Sequence, residues 1–236
     1  MPSVRPGTTR RDLPRPNPTR RGAGERIVTF ADRRDAGERL AAMLVDLTDR
    51  PTVVLGIPRG GVEVAAVVAG ALGAPLDVVV PRKVGAPGNP ELGIGAVAEG
   101  VQVLDERLIR LLGVDAGYLE AAIAEQHREI ARRVARYRGD RPAAPIVGRT
   151  AVVVDDGVAT GGTAVAAVRW ARAQGATAVI LAVPVAPPEA VHRLRSEADE
   201  VRALLTPPYF SSVGQWYDDF PQVADERVVA LLEAAP

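Results

Sequence analysis

Five short apolar runs alternate along the chain with stretches whose apolar residues recur every three or four positions. The runs cover residues 52–55, 76–80, 152–154, 178–183 and 200–205 and are rich in Val, Leu and Ile. The first four of these, this short and this apolar, fit buried strands, since a helix needs ten or more residues; residues 200–205, which include Glu200 and Arg202, fit a last strand. Between them, Leu40, Met43, Leu44 and Leu47 lie at helical spacing after Asp32, which predicts a helix that stops before Pro51. Residues 62–72 predict a second helix. Residues 105–138 predict a long helical region broken near Gly113, with Leu119, Ile123, Ile130, Val134 and Tyr137 on one face. Residues 187–196 and 222–232 supply the last two. Strand and helix in alternation from 52 to 205 predict an α/β fold, a parallel twisted sheet with helices on both faces.

Three stretches break this pattern. Residues 84–95, VGAPGNPELGIG, hold too much Gly and Pro for a packed element. They predict a mobile loop within a flexible segment 82–95, followed by a small hairpin over 96–104 that turns at Glu99 and Gly100. Residues 1–24 are rich in Pro and Arg with almost no apolar content, which predicts a disordered tail. Residues 207–236 hold Tyr209, Phe210, Trp216, Tyr217 and Phe220 ahead of the closing helix. Such a cluster is either a small hydrophobic cap or a hood that stacks on a flat ligand. The expected organisation is thus a tail (1–24), a core (25–206) and a C-terminal lobe (207–236).

Composition removes several function classes. Lys+Arg and Asp+Glu number 29 each in 236 residues, so net charge offers no general attraction to nucleic acid or an anionic membrane. The arginines of the tail read as a solvated extension. The absence of cysteine excludes disulfides, thiolate metal sites and cysteine nucleophiles. No apolar run reaches membrane-spanning length and the N-terminus lacks the apolar core of a signal peptide, so a cytoplasmic protein with no membrane partner is expected. Among the basic residues Lys83 is the only lysine. It is either chance in an arginine-biased sequence or a position that needs a compact, mobile ammonium. His127 and His192 lack predicted ionisable company and read as structural helix residues.

The chemistry concentrates in residues 151–163, AVVVDDGVATGGT. A buried strand delivers Asp155 and Asp156 to its carboxyl end, Gly157 turns the backbone, and Thr160, Gly161, Gly162 and Thr163 open a helix. The free N–H groups of such a start, the threonine hydroxyls and the helix dipole suit a phosphate. The acids cannot bind that phosphate themselves. They face hydroxyls or a cation, and a sugar phosphate with Mg²⁺ offers both. Residues 56–61, GIPRGG, repeat the strand, glycine turn and helix logic at a second place.

The string VVVDDGVATGGT resembles the phosphoribosyl diphosphate motif of the type I phosphoribosyltransferases. It is neither a Walker loop nor a dinucleotide fingerprint. The resemblance implies that Ala159, Thr160, Gly161, Gly162 and Thr163 hold the 5-phosphate and that Asp155 and Asp156 hold the ribose. It implies that Arg59, Gly60 and Gly61 hold pyrophosphate, that Arg82 and Lys83 lie at the hinge of a loop closing over the leaving group, and that Phe210, Trp216 and Tyr217 form an acceptor hood. Magnesium would be held by substrate oxygens and water, with Asp155 acting through water, because no dedicated protein cage is visible. The activity implied is transfer of a phosphoribosyl group to a nitrogen acceptor, a nucleobase by expectation, with possible homodimer formation. Ala159 stands where the 6-oxopurine enzymes carry an acid, which disfavours hypoxanthine and guanine and leaves adenine open. More closely, the whole chain resembles a bacterial group of stand-alone phosphoribosyltransferase-domain proteins with no assigned acceptor. The alternative is a regulator of the same fold that binds phosphoribosyl diphosphate and contacts nucleic acid.

Overall fold

A computed structural model describes residues 29–235; the tail expected at 1–24 lies outside them. The central sheet is built from β1 (Thr52–Gly56), β2 (Leu76–Val78), β6 (Thr150–Val154), β7 (Ala178–Val185) and β8 (Glu200–Leu205). Its order is β2-β1-β6-β7-β8 and every pairing is parallel, as the unbroken apolar runs predict. Alternation survives beneath that uniform composition. Val54, Val152, Val154, Ile180 and Ala182 enter one core layer, while Val53, Leu55, Val153, Leu181 and Val183 enter the other.

The first layer is closed by α1 (Arg33–Met43), α2 (Gly60–Leu72), α4 (Ala116–Arg138) and α7 (Asp225–Glu233), the second by α5 (Gly162–Ala173) and α6 (Pro188–Leu194). The chain leaves β1 for α2 on one face and leaves β6 for α5 on the other. The crevice between the carboxyl ends of β1 and β6 is therefore the topological switch point, where open α/β sheets bind their ligands. The helical region breaks where expected: α3 (Glu106–Leu112) ends on Gly113 at φ +61°, and α4 begins on an Asp115 cap.

Residues 82–95, expected as a flexible segment, are paired in the structure. They form an antiparallel hairpin, β3 (Arg82–Ala86) with β4 (Asn89–Ala98), extended by β5 (Val101–Leu104) across the predicted turn at Glu99 and Gly100. Pro87 and Gly88 make the first turn, with Gly88 at φ +72°, the left-handed position such a turn assigns to glycine. Gly85 sits at a ladder irregularity where a Cβ would lie 2.7 Å from the Pro90 backbone. The glycines and proline that read as loop chemistry are the joints of a hairpin.

The C-terminal lobe packs at the carboxyl ends of β7 and β8, against Val185, Leu204 and Leu205, and is stitched to the start of the described residues. Phe30 N–H donates to the Trp216 carbonyl and Asp218 N–H to the Phe30 carbonyl, both at 2.8 Å. Phe30, Ala36, Val185 and Tyr217 make a third small core beneath Phe210, Val213, Trp216 and Phe220.

Candidate functional site

Asp155 and Asp156 leave the end of β6 half-buried, and the GIPRGG turn after β1 closes directly on them. A Cβ on Gly60 would lie 1.8 Å from Asp156 Oδ2, and one on Gly61 would lie 2.8 Å from the Asp155 Cα. Only glycine permits this approach at both positions, so the first glycine turn lies directly against the acid pair. Ile57 N–H donates to the Val154 carbonyl at 2.8 Å and locks the turn to the strand. The Pro58–Arg59 peptide is cis.

The two acids differ in their partners. Asp156 Oδ2 accepts from Arg33 Nε at 2.8 Å. The same guanidinium donates to the Pro221 carbonyl at 2.8 Å and lies 3.8 Å from the centroid of Phe220. Asp155 Oδ1 accepts from the Asp156 N–H at 2.9 Å. Burial, then the adjacent Asp156, push the Asp155 carboxyl well above the ordinary carboxylate range. Burial also pushes Asp156 up, opposed by Arg33. Asp156 is thus ion-paired with Arg33, whereas Asp155 makes no ion pair among the described residues and its charged form is disfavoured by burial and by its neighbour.

Arg33 is buried at the centre of this arrangement and carries no sequence signal, being one arginine of many in the chain.

At the phosphate-type turn, Gly161 has φ +82° and caps α5 with no side-chain hydrogen bond. Helices α1, α3 and α4 instead start on the aspartate caps Asp32, Asp105 and Asp115. Helix α2 also starts with no side-chain cap, as do α6 and α7, so the first N–H groups of α2 and α5 carry no side-chain partner at the switch point. Thr160 and Gly162 line a cleft of about 570 Å³ with Lys83, Glu91 and Arg193. Ala159 and Thr160 line a second groove of about 410 Å³ with Phe210, Ser211, Glu189 and Arg193.

The remaining expected residues divide. Lys83 reaches the cleft, but Arg82, adjacent on a strand, points to the opposite face. Its Nε donates to Gln126 of α4 at 3.0 Å, and burial, then Arg133, push its guanidinium down. Arg82 is therefore a packing residue of the hairpin and not a companion of Lys83. Arg59 lies half-exposed with its guanidinium 3.8 Å from Asp225 of α7, so its turn faces the acids through backbone and glycine Cα. In the hood, Phe210 and Trp216 stack at 6.5 Å with 19° between planes, and Phe210 faces the groove. Tyr217 does not: it is buried between Phe30 at 5.2 Å and Phe220 at 4.8 Å, and its hydroxyl donates to the Asp156 carbonyl. Burial raises its phenol far above the ordinary range. It supports the acid pair from below and has no face left for stacking.

Among the described residues no group of three or more acidic or imidazole side chains gathers to hold a metal, and no helix is long and apolar enough to cross a membrane. Two half-buried acids with Asp156 already paired fit a magnesium ion carried mainly by its substrate and water.

Known proteins resemble this chain in sequence and in fold. Two provisionally named phosphoribosyl transferases of Mycobacterium tuberculosis, strains CDC 1551 / Oshkosh and H37Rv, are each 50% identical over 207 residues, 87% of this chain. That match is 47% of each relative, so the chain spans about half their length. The crystal structure of TT1426 from Thermus thermophilus is 50% identical, with a TM-score of 0.75 over 88% of this chain and 100% of that one. The family profile described as "Phosphoribosyl transferase domain" matches residues 28–215, a span that runs from the helix carrying Arg33 through both glycine turns and the acid pair into the hood. On that match and that arrangement of turns and acids at the switch point, the chain belongs to the phosphoribosyl transferase domain family.

Proposed function

We propose that the chain transfers the 5-phosphoribosyl group from phosphoribosyl diphosphate to a ring nitrogen of an acceptor, a nucleobase by chemistry, and releases pyrophosphate. The observation that carries this is the contact of the Gly60–Gly61 turn with Asp155 and Asp156 beside the uncapped start of α5. A 5-phosphate on the N–H groups of residues 159–163 would put the ribose over the acids and the pyrophosphate over the start of α2. The C1–oxygen bond to pyrophosphate breaks as the C1–nitrogen bond forms, and the acceptor proton passes to solvent. Positive charge grows at C1, where the carboxylates stabilise it, and negative charge grows on pyrophosphate, where the α2 amides and Lys83 stabilise it. Asp155, through water, would help hold a magnesium ion that enters with the substrate, and the ion would supply Lewis-acid stabilisation of the leaving group. Phe210, backed by Trp216, offers a ring to the acceptor at the groove beside Ala159.

The test is thermal. Phosphoribosyl diphosphate with Mg²⁺ at about 100 times its Kd stabilises the native state by about 2.7 kcal/mol. For a domain of this size that is roughly 5–10 °C in Tm. A screen of nucleobases for pyrophosphate release then identifies the acceptor. No thermal shift at saturating ligand sinks the reading; a shift with no release for any base converts it to a binding protein.

A further inference from the structure

The geometry points to Arg193 as a further ligand of the sugar phosphate, a cation that closes the open side of the α5 turn. This rests on the phosphoribosyl reading above and adds a residue that the VVVDDGVATGGT motif does not contain. Helix α6 is seated on the second core by Ala190, Val191 and Leu194, the last fully buried. Leu194 Cδ atoms reach to 3.4 Å of the position a Cβ on Gly161 would take, and Arg193 Nη2 reaches to 3.2 Å of it. The buried anchor thus delivers the neighbouring guanidinium to the one residue of the turn whose φ is left-handed.

Two further observations bear on what that guanidinium does. Arg193 lines both clefts, so it stands at the divide between the Lys83 side and the Phe210 side, beside Thr160. Among the described residues it makes no ion pair, although Glu189 and Glu197 lie four residues to either side on the same clefts. Glu197 is instead committed to Arg169 through two hydrogen bonds of 2.8 and 2.7 Å. An exposed arginine beside an uncapped helix start, with its forked donors unspent, is matched to a phosphate in bidentate geometry. The backbone amides of α5 would bind the inner oxygens of the 5-phosphate and Arg193 an outer one.

Calorimetric titration of the intact protein with ribose 5-phosphate, pyrophosphate and phosphoribosyl diphosphate, each with Mg²⁺, tests the assignment. Arg193→Ala should weaken ribose 5-phosphate and phosphoribosyl diphosphate by the same factor, about 10-fold for an exposed charge-assisted contact, and leave pyrophosphate unchanged. The loss should shrink with added salt. Arg193→Lys should recover part of the affinity, and Arg195→Ala, an exposed arginine two residues on, should change nothing beyond about twofold. Wild-type binding of both sugar phosphates that Arg193→Ala leaves intact overturns the assignment alone. Equal losses in Arg193→Ala and Arg195→Ala overturn it too, reducing the effect to general surface charge. If the wild type binds neither sugar phosphate, the phosphoribosyl reading itself fails and Arg193 falls with it.

Discussion

Adding one methyl group to Gly60 should do what few glycine-to-alanine changes in a helix do, namely lower stability. Gly60 opens α2, and its new Cβ would sit 1.8 Å from Asp156 Oδ2 and 2.8 Å from Arg33 Nε. Ordinary contact begins near 3.4 Å, so the carboxylate must retreat by about 1.5 Å, and Oδ2 is the atom that Arg33 holds. Two effects compete. Restricting the unfolded chain favours alanine by about 0.4–1 kcal/mol. Overpacking costs about 1–3 kcal/mol, and a largely buried pair, 7% and 15% exposed, costs about 3–5 kcal/mol when fully broken. With the pair displaced and not removed, a loss of about 2–3 kcal/mol wins, leaving a net destabilisation of about 1–2 kcal/mol. At about 2–4 °C per kcal/mol, Tm falls by roughly 5 °C. On the proposed function, a carboxylate moved this far would also leave the ribose, and a misplacement of about 1 Å is worth on the order of 10²-fold in rate. Gly70, in the same helix with nothing within 4 Å of its Cβ position, is the control. There alanine should raise Tm by about 2–4 °C for about 1 kcal/mol. Circular dichroism melting of both variants, with phosphoribosyl diphosphate titration, reads the contrast. A Gly60→Ala protein that melts at or above wild type and binds with unchanged affinity would refute the packing of the turn against the acids.

The pH dependence of the ligand-free protein should carry the mark of Asp155. Its folded pKa is raised, so its contribution is favourable when protonated and is lost as pH rises from the ordinary carboxylate range through the raised value. Asp155→Asn stays neutral; its Tm should exceed wild type at neutral pH by an excess that vanishes in acid, while turnover falls by roughly 10²-fold. A constant Tm difference across pH would remove the titration from the explanation. In the hood, Tyr217→Phe should cost about 1 kcal/mol of stability from the lost hydroxyl bond and leave acceptor KM unchanged, whereas Phe210→Ala should raise acceptor KM with little effect on Tm. The reverse pattern would exchange the roles assigned to the two rings.

How much of this could be read beforehand depends on what each feature demands of the sequence. A parallel strand buried on both faces must be apolar throughout, and β1, β6 and β7 were therefore plain. So was the acid pair, because two carboxylates at the end of such a strand oppose its composition. The hairpin of β3 and β4 was not plain: Gly85, Pro87 and Gly88 are the residues of loops as well as of tight ladders, and the partner that decides between them is Pro90, brought near only by the fold. Arg33 and Arg193 were hidden by abundance, since a chain with one lysine among 29 basic residues does not mark which arginines are singular. The aromatic cluster was visible as a cluster. Which ring turns inward is set by the bridge between Phe30 and Tyr217, and local sequence does not encode it.

That bridge has a consequence for the order in which the protein assembles itself. Arg33 and the Pro221 carbonyl it binds are separated by 188 positions in sequence, and the neighbouring Phe30–Tyr217 pairing closes a loop of similar size. Contacts this distant form after the local ones, because the chain must first lose the freedom of everything between them. During synthesis the first strand and the glycine turn leave the ribosome long before the segment that roofs them. Asp156 then waits, half-buried, for the contacts that Tyr217, Phe220 and Pro221 supply directly and through Arg33. The nascent domain can pair its sheet while the crevice is still open, and the site is completed only when residues 30–33 meet residues 216–221.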